Sequence, residues 1–200
     1  MDLAAFRKGL ARHLYPVLRG EGFKGSGATL RRVAGPLVHV FNVQGSQGGA
    51  RCYLNLGVQL DFLLPGAARP LEQVLEYECE FRERIDPPDA RALGWGFGDS
   101  PEEADTNARA VVAPWEAQGR SFFARFGRWP DDFAALARDF DPERGDSAAG
   151  RSMARIALRL GDPVRARAIA EAALRNAPQG ASGLRHDLRQ LLAGLPARAS

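Results

Sequence analysis

The chain is poor in the residues that carry most enzymatic chemistry. It holds three histidines, two cysteines and two methionines, and only two of its 27 basic side chains, Lys8 and Lys24, are lysines. No C-x-x-C pair, H-E-x-x-H run or G-x-S-x-G elbow occurs. Those absences remove the motif-bearing dithiol, zinc-peptidase and α/β-hydrolase classes. The string GSGATL at residues 25–30 lacks the lysine and the following helix of a phosphate-binding loop. Cys52 and Cys79 read as reduced core residues of two strands, since two thiols without a clustered histidine or acid do not make a metal site. No cofactor and no metal is expected. His39 falls on the apolar side of its strand and reads as a buried, hydrogen-bonded histidine; His13 reads as a surface one. No apolar run approaches the eighteen residues of a membrane span. The N-terminus lacks an apolar signal region, so a cytoplasmic location is expected. A missing motif does not exclude an enzyme, because a site can be assembled from distant residues.

What is present is ample apolar material and an uneven charge. Hydrophobic residues form 45% of 200, enough for one domain with a core, or one with a small appendage. The net charge of +3 conceals +6 in residues 1–60, −9 in residues 61–146 and +6 in residues 147–200. Basic ends around an acidic middle imply either complementarity between packed elements or separate patches for partners. Arginine supplies 25 of the 27 basic residues, beside abundant alanine and glycine. That pattern reads as coding bias. Arg31, Arg32, Arg82, Arg84 and the C-terminal arginines would be the side chains to contact phosphate, but the acidic middle interrupts any continuous basic track. Nucleic acid is therefore not the expected partner.

The central feature is a hairpin over residues 37–60. Leu37, His39, Phe41 and Val43 alternate with Val38, Val40, Asn42 and Gln44, and successive strand residues point to opposite faces. The run from Gln44 to Ala50 carries three glycines and a serine, which is turn chemistry. Beyond it, Cys52, Leu54, Leu56, Val58 and Leu60 alternate with Arg51, Tyr53, Asn55, Gly57 and Gln59. Such alternation predicts one covered face and one wetter face. The wetter face is either plain solvated sheet or a recognition surface of amides.

The flanking elements read as follows. Residues 2–20 predict a helix with the stripe Leu3, Phe6, Leu10, Leu14, Val17 and Leu18, interrupted near Pro16. Residues 23–33 predict one glycine-rich strand, either at an edge or bulged. Residues 78–85 predict a strand, and 94–97 a short last one presenting Trp95 and Phe97. Ser100-Pro101-Glu102-Glu103 is a helix start. Two helical pieces follow through Phe126, interrupted by Pro114 and Gly119, and another helix runs from Trp129 to Phe140. Residues 141–150 are the best internal boundary. Beyond them lie a helical hairpin around Gly161-Asp162-Pro163 and a third helix over 184–192.

The order of these features resembles a bacterial family called domain of unknown function 4304. The resemblance covers residues 3–130 and rests on Gly22-Phe23-Lys24, Leu30-Arg31-Arg32, the F-N-V-Q-x-S string from Phe41 to Ser46, and the L-N-L-G-V string from Leu54 to Val58. It implies an α+β fold, no established activity, and an association with immunity or regulatory systems. The C-terminal hairpin resembles a single tetratricopeptide unit, through Gly161, Ala166, Ala173 and Pro178; an ordinary alanine-rich hairpin explains it equally well.

The sequence thus predicts an α+β protein: an antiparallel meander sheet of four or five strands packed by helices, spanning residues 1–140, with a small helical appendage over 151–200. It predicts a non-catalytic module that binds a protein or peptide through Asn42, Gln44, Asn55, Gln59, Arg82 and Arg84 on the polar sheet face. A small-molecule or nucleotide-processing enzyme with a pocket on that face is the alternative.

Overall fold

The protein is described from a computed structural model that covers residues 3–49, 51–64, 69–89 and 93–196. The chain enters through helices α1 (Leu3–His13) and α2 (Tyr15–Gly20). Phe6, Leu10, Leu14 and Leu18 are fully buried, as their spacing of four dictates. The helix breaks at Leu14, just ahead of Pro16, whose ring removes a backbone donor.

The first strand is in fact a hairpin. Strand β1 (Lys24–Ser26) turns through Gly27, at φ +68°, and pairs back onto β2 (Thr29–Ala34). A side chain at Gly27 would be strained in that left-handed conformation. Strands β3 (Leu37–Gly45), β4 (Arg51–Leu60) and β5 (Phe81–Ile85) complete an antiparallel meander in the order β1-β2-β3-β4-β5. A two-residue strand β6 (Trp95–Gly96) also pairs with β4, opposite Cys52 and Arg51. The α+β meander sheet packed by helices is the fold the sequence predicts.

The strand expected over 78–85 starts only at Phe81. A 3-10 turn, Glu76–Glu78, precedes it. The Glu78 carboxylate accepts the Leu75 N–H at 2.7 Å and closes that turn, a local hydrogen bond that competes with the extended ladder. Cys79 therefore sits beside the sheet and outside its strands.

Helices α3 (Pro101–Arg109), α4 (Val112–Pro114) and α5 (Arg120–Arg125) follow, with the π-helical turn Trp115–Gly119 between the last two. The Ser100 hydroxyl caps α3 by accepting the Glu103 N–H. The helix-packed face of the sheet is aromatic. Phe41 meets Trp115 edge-on at 5.9 Å and Tyr15 at 6.3 Å, while Phe81 lies 4.6 Å from Phe126. His39 sits inside this layer, edge-on to Phe123 at 5.0 Å. Its Nε2 bonds the Phe126 carbonyl at 2.8 Å, and Nδ1 accepts from Arg32 at 3.3 Å. Burial pushes its pKa down to about 4, so it is neutral and structural at neutral pH.

By contact density the chain divides into two units, Met1–Gly127 and Arg128–Ser200, ahead of the polar 141–150 segment in which the sequence places its boundary. The second unit holds α6 (Asp131–Asp139), α7 (Ser147–Arg159), α8 (Pro163–Asn176) and α9 (Ser182–Gly194). α6 packs against α7 and is tied to α8 by Arg165. From the first turn of α8 it bonds the carbonyls of Ala137, Arg138 and Phe140 at the C-terminal end of α6, where a cation is favoured. Asp162 caps α8 through the Arg165 N–H, and Gly161 turns the α7–α8 hairpin at φ +84°.

Candidate binding face

Strand register decides which side chains share the face away from the helices. Asn42 pairs with Thr29 on one side and Asn55 on the other; Asn55 pairs with Arg84, and Thr29 with Ser26. One cross-strand row therefore reads Ser26–Thr29–Asn42–Asn55–Arg84. The next row reads Lys24–Arg31–Val40–Gly57–Arg82. Toward the other end, Val33, Val38 and Gln59 share the face, while Gln44 and Tyr53 extend it past the first row.

Half of this face is covered by the chain itself. Residues 71–79, here called the strap, lie over it. Val74 and Cys79 pack with Val38 and Val40 into a second small core, joined by Leu64 and Leu71. Gly57 is what admits the strap. A Cβ there would lie 2.6 Å from the Cys79 sulfur and 2.9 Å from its Cβ, closer than any real contact. A glycine inside a strand often marks such an approach of another chain segment. Two polar latches hold the strap. Glu76, only 6% exposed, receives Arg82 Nε at 2.8 Å, and that hydrogen bond, more than the attraction of the charges, raises the Arg82 pKa. Arg31 Nε donates to the Val74 carbonyl at 2.6 Å.

Two of the six expected site residues are not on the surface. Asn55 and Gln59 are each 2% exposed. Gln59 donates to the Glu78 carbonyl at 2.8 Å and accepts its neighbour's Leu60 N–H, so it fastens the strap from below. Arg82 is exposed but committed to Glu76. The sequence reading of an open amide face is corrected to this extent: Val38 and Val40 are apolar on that side, and an apolar patch beside a glycine is a place for the chain to fold back.

The other half stays uncovered by the described residues. Asn42 is half-buried and donates to the Thr29 hydroxyl at 2.9 Å. Gln44 and Arg84 are exposed. Asn55 lies beneath them as the hub: its Nδ2 donates to Gln44 Oε1 at 2.9 Å, and its Oδ1 accepts from Arg84 Nε at 3.1 Å. The Arg84 guanidinium lies over the Tyr53 ring, 4.4 Å from its centroid, a cation–π arrangement. Beside the covered half, a groove of about 440 Å³ is lined by Gly22, Lys24, Gly25, Arg31, Val33 and Glu72. The groups whose proton affinity is strongly displaced lie elsewhere. Burial raises Tyr15, Cys52 and Cys79 to about 12 each, and none of them lines this groove. The two cysteines lie on opposite faces of the sheet, with β4 between them.

One constellation was invisible in the sequence. His13 Nε2 and Asp105 Oδ1 are 2.8 Å apart, and Arg12 Nη2 reaches the same oxygen at 2.5 Å. The His13 hydrogen bond, followed by Arg12, holds the Asp105 pKa below its ordinary value. The pair joins α1 to α3, and its members lie 92 positions apart in sequence. Among the described residues, no group of three or more His, Cys, Asp or Glu side chains is arranged to hold a metal ion. No described helix is long and apolar enough to cross a membrane.

An antiparallel sheet with helices on one face and a strap over half of the other defines an α+β scaffold with a polar patch that the described residues leave uncovered. The profile of the family described as Domain of unknown function (DUF4304) matches residues 14–125, more than half of the chain. The protein belongs to that family, and the match falls within the first contact unit. No curated protein and no solved structure matches the chain.

Proposed function

We propose that the protein is a non-catalytic binding module, of regulatory or immunity type, that holds a protein or peptide partner on the uncovered half of its sheet face. The observation that supports this reading is a row of two hydrogen-bonded groups side by side, Thr29–Asn42 and Gln44–Asn55–Arg84. Asn42 and Asn55 bond neighbours within the sheet, while the exposed Gln44 and Arg84 present donors outward. Amides so placed suit the donors and acceptors of a peptide chain. The enzymatic alternative calls for an enclosed cavity with a strongly shifted titratable group; here the strongly shifted groups, Tyr15, His39, Cys52 and Cys79, are buried and none of them lines the nearby groove.

The test is selection of a random peptide library on the immobilised full chain, with Asn42→Arg as the counter-variant. Asn42 is half-buried at the centre of the patch, so an arginine there obstructs it. Enriched peptides should bind the parent chain and lose at least about tenfold in affinity on the variant, a change of about 1.4 kcal/mol. Peptides that bind both chains equally would place the binding surface elsewhere and overturn the reading.

A further inference from the structure

We infer that the partner segment is acidic, and that Arg84 is the anchor for one of its carboxylates. This rests on the binding reading above and names the partner's chemistry. Arg82 and Arg84 project to the same side of β5. Arg82 is neutralised by the buried Glu76 carboxylate. Among the described residues Arg84 has no carboxylate partner; its Nε is occupied by Asn55 and its face by Tyr53. Those two contacts fix the plane of the guanidinium and leave its terminal nitrogens directed at solvent. An arginine immobilised in this way loses little further freedom on binding, and its planar fork matches a carboxylate with two parallel hydrogen bonds.

The surroundings agree in sign. The side chains that share this half of the face, Ser26, Thr29, Asn42, Gln44, Tyr53 and Asn55, include no carboxylate. Asn55 Nδ2 bonds Gln44 Oε1, so the Gln44 amide turns its N–H groups outward beside Arg84. Arg51, exposed on the same side of β4, adds a second cation along the strand, and Lys24 a third on β1. Three scattered cations among amides fit a peptide with carboxylates better than a polyphosphate backbone, which demands a continuous basic track.

The experiment is a titration of the isotope-labelled full chain, followed by amide chemical shifts. The probes are an acetylated, amidated hexaglutamate peptide, its hexaglutamine counterpart and a six-nucleotide oligothymidine. Hexaglutamate should shift residues 42–44, 53–55 and 84. It should bind at least about fivefold more tightly than hexaglutamine, and weaken as salt is raised. Arg84→Gln should lose about fivefold in hexaglutamate affinity. Arg84→Lys, which keeps the charge but not the fork, should lose less. Arg109→Gln, which neutralises an exposed arginine elsewhere, should lose nothing. Equal binding of the two peptides on this face would overturn the acidic assignment and leave the binding module standing. Undiminished hexaglutamate binding by Arg84→Gln would remove Arg84 as the anchor. Stronger oligothymidine binding at the same residues would replace the peptide with nucleic acid. Shifts confined to other parts of the chain would overturn both readings.

Discussion

Arg82 and Arg84 leave one strand on the same side, two residues apart, and end in different surroundings. Arg82 points at the half of the face where Val38, Val40 and Gly57 lie, and there the strap brings Glu76 down to meet it. Arg84 points at the half where Asn42 and Gln44 replace those valines, and none of the described segments descends onto it. The difference lies in what the sheet offers. Two valines and a glycine make an apolar hollow that a returning segment can fill. Covering the amides would instead require a new partner for each polar group, or a cost of about 1–3 kcal/mol for each one left unpaired. A protein-sized partner can supply such hydrogen bonds; a short strap cannot supply all of them.

The predictions probe that contrast, beginning where burial is most complete. The helix-packed face sets the upper limit through His39. Its pKa is about 4 in the folded chain and 6.5 when unperturbed. As pH falls from about 6.5 toward 4, the unfolded chain binds a proton that the folded chain does not. Stability should therefore be level above pH 7 and fall by about 3 kcal/mol across that window. Urea midpoints at pH 7.5, 5.5 and 4.5 measure this, and a His39→Gln variant should have lost that slope. Asp105 loses its contribution at lower pH, because its pKa is depressed, so the histidine window is separable.

Breaking the covered half comes next. Gly57→Val should cost about 1–3 kcal/mol, the usual range for forcing bulk into a packed site, and should lift the strap. Cys79 should then react with a thiol reagent while Cys52, under the helices, stays protected. A variant with both thiols still protected would show that the strap does not depend on Gly57. Glu76→Gln weakens one latch without adding bulk. It should cost about 1 kcal/mol and expose Cys79 less than Gly57→Val does. The smallest effect belongs to the open half. Gln44→Ala should change stability by no more than about 0.5 kcal/mol and leave Cys79 protected. A larger loss would mean that this half is structural after all.

Much of the scaffold was legible because its signals are local. The stripe from Phe6 to Leu18, the alternation of β4, the Ser100 cap and the Gly161 turn each lie within one element. The polar face was half legible. Register follows from the alternation, so Asn42, Asn55 and Arg84 were placed correctly on one side. The burial of Asn55 and Gln59 was not: Gln59 is fastened to the Glu78 carbonyl of a segment that returns some twenty residues later, and Asn55 is roofed by Gln44 and Arg84. Two signals pointed to that return. One is Gly57 in the middle of the amide side. The other is the run from Leu37 to Phe41 in β3, which has apolar residues on both faces and so reads as a strand covered twice. The 3-10 turn at Glu76–Glu78 is not legible in the sequence, because the same residues alternate acceptably as a strand and only the Glu78 side chain bonded to Leu75 decides between them. The His13–Asp105 pair depends on two helices meeting, which no local pattern reports.

The central claim is that the chain covers one half of its polar sheet face and leaves the other for a partner. Hydrogen–deuterium exchange of the full chain, with and without a library-selected peptide, addresses it most directly. Added protection should appear in residues 24–31, 40–45 and 51–55, with residues 71–79 already protected and unchanged. Protection centred on 71–79, or on the helices of the second unit, would contradict the account.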